Sequence, residues 1–189
     1  MSTAPRLPRF DPADLDPDQR AVYDAIAGGR RAAGPQAFAL VDPDGRLRGP
    51  FNAMLLSPPV GGALQAVGAA VRYASVLEDR TRELAILAVA AYWDSAFERA
   101  AHEAVGRQAG LTEDDFAAVR SGAEPESASP SERVALRTVA ALLADQALSP
   151  PAYAAAVEAL GERGLFELTA LVGYYATLAL QLRVFAGEG

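Results

Sequence analysis

The sequence predicts an all-α protein of seven or eight helices. Three observations carry that expectation: a conspicuous alanine content, which favours helix; regularly placed helix caps and stops; and the lack of any convincing run of strand-type alternation. With 51% hydrophobic and 22% charged residues in a chain of 189, the composition is globular, and the length suits one domain with a sizeable core. That domain is expected to span 1–189, with an N-terminal helix and long loop over 1–50, a central part over 51–122 and C-terminal helices over 123–189.

Each element has a local reason. Asp16-Pro17-Asp18-Gln19 supplies an N-cap, a proline at the first helical position and a capping-box glutamine, and Gly28-Gly29 stops the helix, so 17–27 is helical. From Gly29 to Phe51 the chain is rich in Gly, Pro and Asp and reads as a long loop, with Asp42-Pro43-Asp44-Gly45 as a turn suited to a short irregular hairpin. Ser57-Pro58 opens a helix that runs towards Leu77. Asp79 caps the next, whose interior from Leu84 to Ala91 is apolar on all sides and therefore buried. Another helix starts at Asp94 or Ser95 and ends at Gly110, and Thr112 to Asp115 opens a short one that closes near Gly122. Residues 121–131 form an exposed connector, after which helices are expected at 131–147, 150–162 and 165–185. Ser57-Pro58-Pro59 recurs as Ser149-Pro150-Pro151, and Glu83-Leu84 as Glu167-Leu168, a pattern that suits an internal helix-pair duplication.

Bulk properties exclude several function classes. A net charge of −7 without a Lys/Arg cluster argues against nucleic-acid and anionic-membrane partners. Zero cysteines exclude disulfides, thiolate metal sites and thiol redox cycles, and a single histidine excludes multi-histidine metal sites; a carboxylate-rich site is possible in principle, but nothing in the spacing asks for one, so no metal is expected. Met1 to Pro17 lacks the apolar core of a leader, which makes the cytoplasm the expected location. No stretch reaches roughly 18 uninterrupted apolar residues, and Leu165 to Phe185, interrupted by Glu167, Gln181 and Arg183, reads as a buried helix.

One constellation carries chemistry. It comprises Gly49-Pro50-Phe51-Asn52, Arg80-Thr81-Arg82-Glu83-Leu84-Ala85-Ile86-Leu87, Phe97-Glu98-Arg99-Ala100-Ala101-His102-Glu103 and Ala109-Gly110-Leu111. Together these segments resemble the carboxymuconolactone decarboxylase family, whose all-helical fold is shared with the AhpD-like alkyl hydroperoxidases. Leu165 to Gln181, with its Tyr174-Tyr175 pair, resembles the C-terminal helix of the longer members. The peroxidase branch carries a glutamate, a Cys-x-x-Cys pair and a histidine at the spacing that here reads Glu83, Ser95, Glu98 and His102. Both thiols are absent, and a glutamate four residues before the histidine resembles the decarboxylase branch. Arg99 stands where that branch commonly has an aromatic residue. The resemblance implies closed homo-oligomers, a trimer first and a dimer or hexamer as alternatives.

The same residues make sense without the resemblance. Ser95, Glu98 and His102 are spaced i, i+3, i+7 on one helix face, with Glu98 and His102 one turn apart. A carboxylate beside an imidazole fixes its tautomer and favours its charged form, so such a pair moves protons near neutral pH. Whether Glu83, one helix earlier, reaches His102 depends on how the two helices face each other. Structural readings stand beside these: Ser95 and Glu98 have the spacing of a capping box, Glu83 suits the helix dipole, and a lone histidine is commonly a hydrogen-bonded core residue.

His102, Glu98 and Glu83 are thus the candidate catalytic groups, and Ser95, Arg99, Tyr73, Trp93, Tyr174 and Tyr175 the candidate substrate contacts. Phe51, Asn52, Met54 and Tyr92 are further candidates for a pocket wall, and Arg72, Arg80 and Arg99 for a cationic anchor. The resemblance implies a cofactor-free lyase or isomerase acting on a small organic acid or lactone. A cyclase or dehydratase for a larger apolar substrate, and a binding protein with a silent site, remain as alternatives. Thiol peroxidase chemistry is not expected.

Overall fold

The structure is a computed structural model in which residues 6–29 and 38–186 are described. Among them are eight α-helices, and their only β pairing is one isolated bridge, Val41 with Leu47. The all-α expectation therefore holds. The chain divides into two compact units, Met1–Tyr73 with Thr177–Gly189, and Ala74–Ala176.

The first unit is built on α1 (Pro17–Ala27), α2 (Phe51–Met54) and α3 (Pro58–Tyr73). The capping box forms as expected, with the Asp16 carboxylate accepting from the Gln19 amide and the Gln19 side chain accepting from the Asp16 amide. α1 lays Val22 and Ile26 into the core against α3. Gly61 lies so close to the end of α2 that a Cβ there would run into the Met54 carbonyl, so glycine lets α3 approach. The turn at 42–45 makes the expected miniature hairpin, in which Asp42 N donates to Arg46 O at 2.9 Å and Arg48 N to Leu40 O at 2.9 Å. Phe51 and Met54 are core residues of this unit. Asn52 spends its amide on the N-terminal segment, accepting from Phe10 N at 3.0 Å and donating to Pro8 O at 3.2 Å.

The second unit holds α4 (Asp79–Tyr92), α5 (Ala96–Gln108), α6 (Glu113–Arg120), α7 (Pro130–Ala144) and most of α8 (Pro150–Gln181). α4 is buried almost all round from Thr81 to Ala90, as its unbroken apolar run requires. It meets α5 through a short turn in which Asp94 takes a left-handed φ of 48°, a conformation aspartate tolerates better than most residues. Leu84 and Leu87 of α4 join Leu111, Phe116, Val119 and Leu136 in one apolar cluster. Gly106 lets α5 settle on it, since a Cβ there would stand 2.9 Å from Leu111 Cδ1 and 3.1 Å from Phe116 Cε1.

Several boundaries differ from expectation. α3 stops at Tyr73, four residues short of Leu77. Asp79 is the first residue of α4 rather than its cap, because its carboxylate pairs with Arg82 at 2.8 Å. The last two helices do stand as expected: α8 (Pro150–Gln181) is two helices that meet at a break, where Gly161 leaves the helical region with φ 72°, ψ 163°. By length and composition alone, the stretch Pro150–Phe185 would pass for a membrane span. Half of its most apolar window is buried inside the protein, with Leu168, Leu171 and Tyr175 in the core.

Arg80, at the start of α4, ties that helix to α6 and α7. It donates to Gly110 O at 2.6 Å and to Ser127 Oγ at 2.6 Å, and it pairs with Asp115 at 3.2 Å and Glu132 at 3.0 Å. Asp115 and Glu132 are themselves the box residues that cap α6 and α7 through Thr112 and Ser129. Burial alone would push the Asp115 carboxyl up, but hydrogen bonds from Ser127 and Thr112 and the Arg80 charge hold it below its usual value.

Arg80→Ala leaves two buried carboxylates without their cation. Chemical denaturation is expected to show a loss of about 2–3 kcal/mol, below the full range for a buried pair because the arginine is partly exposed. Asp115 also makes stability depend on acid. Its folded pKa is depressed, so its contribution is complete above the unfolded pKa and disappears as pH falls through the lower folded one. The stability gap between wild type and Asp115→Asn should be widest near neutrality and close progressively below about pH 4; a gap that stays constant down to pH 2 would contradict this.

Candidate active site

α4 and α5 form a helical hairpin, so residues similarly distant from the turn face each other. Glu83 and His102 stand in that relation, and Glu83 Oε2 lies 2.7 Å from His102 Nδ1. Both are deeply buried, at 0% and 4% exposure. An ionised carboxylate can only accept a hydrogen bond, so in that state Nδ1 must carry the proton and Nε2 becomes the nitrogen that gains or loses one. Glu98, one turn before His102 on the same helix, is also buried. The Tyr175 ring stands edge-on to the imidazole with centroids 5.0 Å apart, and Tyr174 packs edge-on to Tyr175 at 5.1 Å.

Arg82 is a buried charge beside Glu83 that sequence reasoning passed over. It is buried, its Nε is 3.7 Å from Glu83 Oε1, and its other end pairs with Asp79. At that distance the contact is an ion pair rather than a hydrogen bond. Its effect is to place a positive charge beside a carboxylate that burial would otherwise penalise. The available signal was weak: an arginine directly before Glu83, two residues ahead of the apolar run that begins at Leu84.

The remaining candidates sort unevenly. Ser95 is the N-cap residue of α5, but its side chain makes no cap bond; its Oγ is buried at 6% residue exposure with no hydrogen-bond partner. The capping-box reading of Ser95 and Glu98 therefore fails. The cause is geometric, since Ser95 uses its amide on Ala90 O at 2.9 Å and its carbonyl on Arg99 N at 3.0 Å while its hydroxyl turns inward. Arg99 is half-buried and 3.6 Å from Asp94. Trp93 is the C-cap residue of α4, and its ring is edge-on to Tyr92 at 6.0 Å. Tyr73 ends α3 in the first unit, with the Arg72 guanidinium 5.3 Å from its ring centre. Arg80 is committed to the α6 and α7 caps. Among the described residues, no three His, Asp or Glu side chains converge as a metal-ligand set.

Residues 58–141, from the start of α3 into α7, match the model of the carboxymuconolactone decarboxylase family. No curated protein matches the chain.

Ser95→Ala tests the failed cap directly. An N-cap serine is worth about 1 kcal/mol, whereas removing a buried hydroxyl that makes no bond is neutral or stabilising. Thermal melts should show Ser95→Ala no less stable than wild type, and a drop of several degrees would mean that the hydroxyl caps α5 after all.

Proposed function

From the match of residues 58–141 to the carboxymuconolactone decarboxylase family, we propose that the protein is a cofactor-independent lyase or isomerase that moves protons on a small organic acid or lactone. The observation that supports this best is the buried 2.7 Å contact between Glu83 and His102. A buried carboxylate facing a buried imidazole is costly for mere stability and useful for proton transfer. The absence of cysteine leaves the thiol chemistry of the related peroxidases without its nucleophile.

In this reading Glu83 holds His102 through Nδ1, and Nε2 with Glu98 serves the substrate. For a decarboxylation, the bond between carbon and the departing carboxylate breaks and carbon dioxide leaves. The electron pair stays on the substrate as an enolate-type anion, and one proton from Glu98 or His102 returns to the vacated carbon. An isomerisation uses the same two groups, one removing a proton and the other returning it. Ser95, with its buried hydroxyl and a place three residues before Glu98 on the same helix face, is a proposed substrate contact. Arg99, Trp93, Tyr174 and Tyr175 complete the proposed contacts, while Tyr73 is retained on sequence grounds alone.

The test uses carboxymuconolactone and a panel of small β-keto and β,γ-unsaturated acids in deuterated water. Wild type should release carbon dioxide, or exchange one proton, and leave one deuterium at the reacting carbon. His102→Ala and Glu98→Gln should each slow turnover by about 10²- to 10⁴-fold; Glu98→Gln should melt near wild type, whereas His102→Ala, which takes the imidazole away from the buried Glu83 carboxylate, should fold but melt lower. Variants as fast as wild type, or a wild type inert towards every acid and lactone offered, would overturn the proposal.

A further inference from the structure

A concavity lies on the back of α4. Helical periodicity of about 100° per residue turns Ala88 and Tyr92 roughly 140° and 180° away from Glu83, so this groove is separate from the His102 site. Its volume is about 330 Å³, at the small end of the range for small-ligand pockets, roughly 300–1,000 Å³. Ala88, Tyr92, Leu136, Ala140 and Leu143 give it an apolar lining, contributed by α4 and α7, and the turn after α6 closes one end. Alanines at 88 and 140 leave depth where larger side chains would fill the groove. Tyr92 is more than half exposed and offers an aromatic ring in the groove's lining.

The charged lining is Arg120, Glu124 and Arg137, a net positive set on a chain whose net charge is −7. Glu124 is already neutralised, since Arg137 grips it at 2.6 and 3.1 Å and Arg133 at 3.2 Å. Arg120 has one contact, to Glu103 at 2.8 Å. Each guanidinium has five N–H donors in a fork suited to a carboxylate. Arg137 commits Nε and one terminal nitrogen, and Arg120 one terminal nitrogen, so both keep donors at the groove's open edge.

We propose that this groove is a binding site for a small monocarboxylate with an apolar, aromatic body, its ring against Tyr92 and the alanines and its carboxylate between Arg120 and Arg137. The charge pattern favours such an acid over a neutral ligand, and the volume favours one ring with a short alkyl substituent over a long chain. This site does not depend on the proton-transfer reading of the His102 site.

Calorimetric titration of the full chain with 4-tert-butylbenzoate tests it, with the amide of the same acid as neutral control. Saturable binding at a Kd of about 1 mM or tighter is expected for a ligand of that size. Arg137→Gln should weaken the benzoate about fivefold and leave the amide unchanged, a modest effect because the arginine is exposed. Ala140→Trp, on the exposed face of α7, should abolish binding of both while circular dichroism and melting stay native. His102→Ala should bind as wild type does. Absence of saturable binding, binding that survives Ala140→Trp, or binding lost in His102→Ala would each overturn the assignment. So would a change of oligomeric state in Ala140→Trp, which would mark the groove as a contact between copies instead.

Discussion

The 2.7 Å contact between Glu83 and His102 constrains everything around it. Bringing a carboxylate and an imidazole together out of water requires that the surrounding helices hold both without slack, because a shift of an ångström would leave two buried polar groups unsatisfied. That demand explains why α4 is enclosed on every side. It also explains the left-handed Asp94, which turns the chain sharply enough for α5 to return along α4 in the required register. Arg82 supplies the compensating charge, and Tyr175 covers the imidazole with an aromatic edge.

The charge network around Arg80, one helical turn before Glu83 on α4, does similar structural work. There, a single guanidinium joins the start of α4 to the caps of α6 and α7, each carboxylate serving both as a helix cap and as an ion-pair partner. Glu167 plays a smaller version of the role on α8, accepting from Ser75 Oγ at 2.6 Å and Val76 N at 2.7 Å. Polar groups buried in this unit are thus divided by function. Those at Arg80 are saturated with hydrogen bonds and hold helices together, whereas the Ser95 hydroxyl, next to the proposed acid–base groups, makes none. An unsatisfied buried hydroxyl costs stability, and such costs concentrate where a protein handles a ligand.

Local signals made much of the fold legible. The Asp16 and Thr112 capping boxes, the prolines at 17, 58 and 150 and the all-round apolar α4 each mark an element that stands where those signals put it. Helix ends were less legible: Asp79 looks like a cap by residue type, yet it stands one position inside α4 and gives its carboxylate to Arg82, three residues on. Ser95 and Glu98 show the same limit, since their spacing specifies a capping box and tertiary packing turns the hydroxyl inward instead. For the site, spacing on α5 put Glu98 and His102 on one face. Nothing local could decide that Glu83 and Arg82 would converge there, because that depends on the angle of the hairpin. The groove behind α4 was equally hidden, as it exists only through the packing of α7 against alanines.

The most direct measurement is nitrogen-15 NMR of the imidazole, which is unambiguous because the chain contains one histidine. If Glu83 holds that ring as a carboxylate, the neutral form should be the Nδ1–H tautomer, with a strongly deshielded Nδ1 proton protected from exchange and Nε2 bare. Replacing Glu83 by Gln should change the tautomer balance and expose that proton. A neutral ring protonated at Nε2 in the wild type, or a spectrum indifferent to Glu83→Gln, would show that the two side chains are not coupled and would remove the basis for an acid–base site.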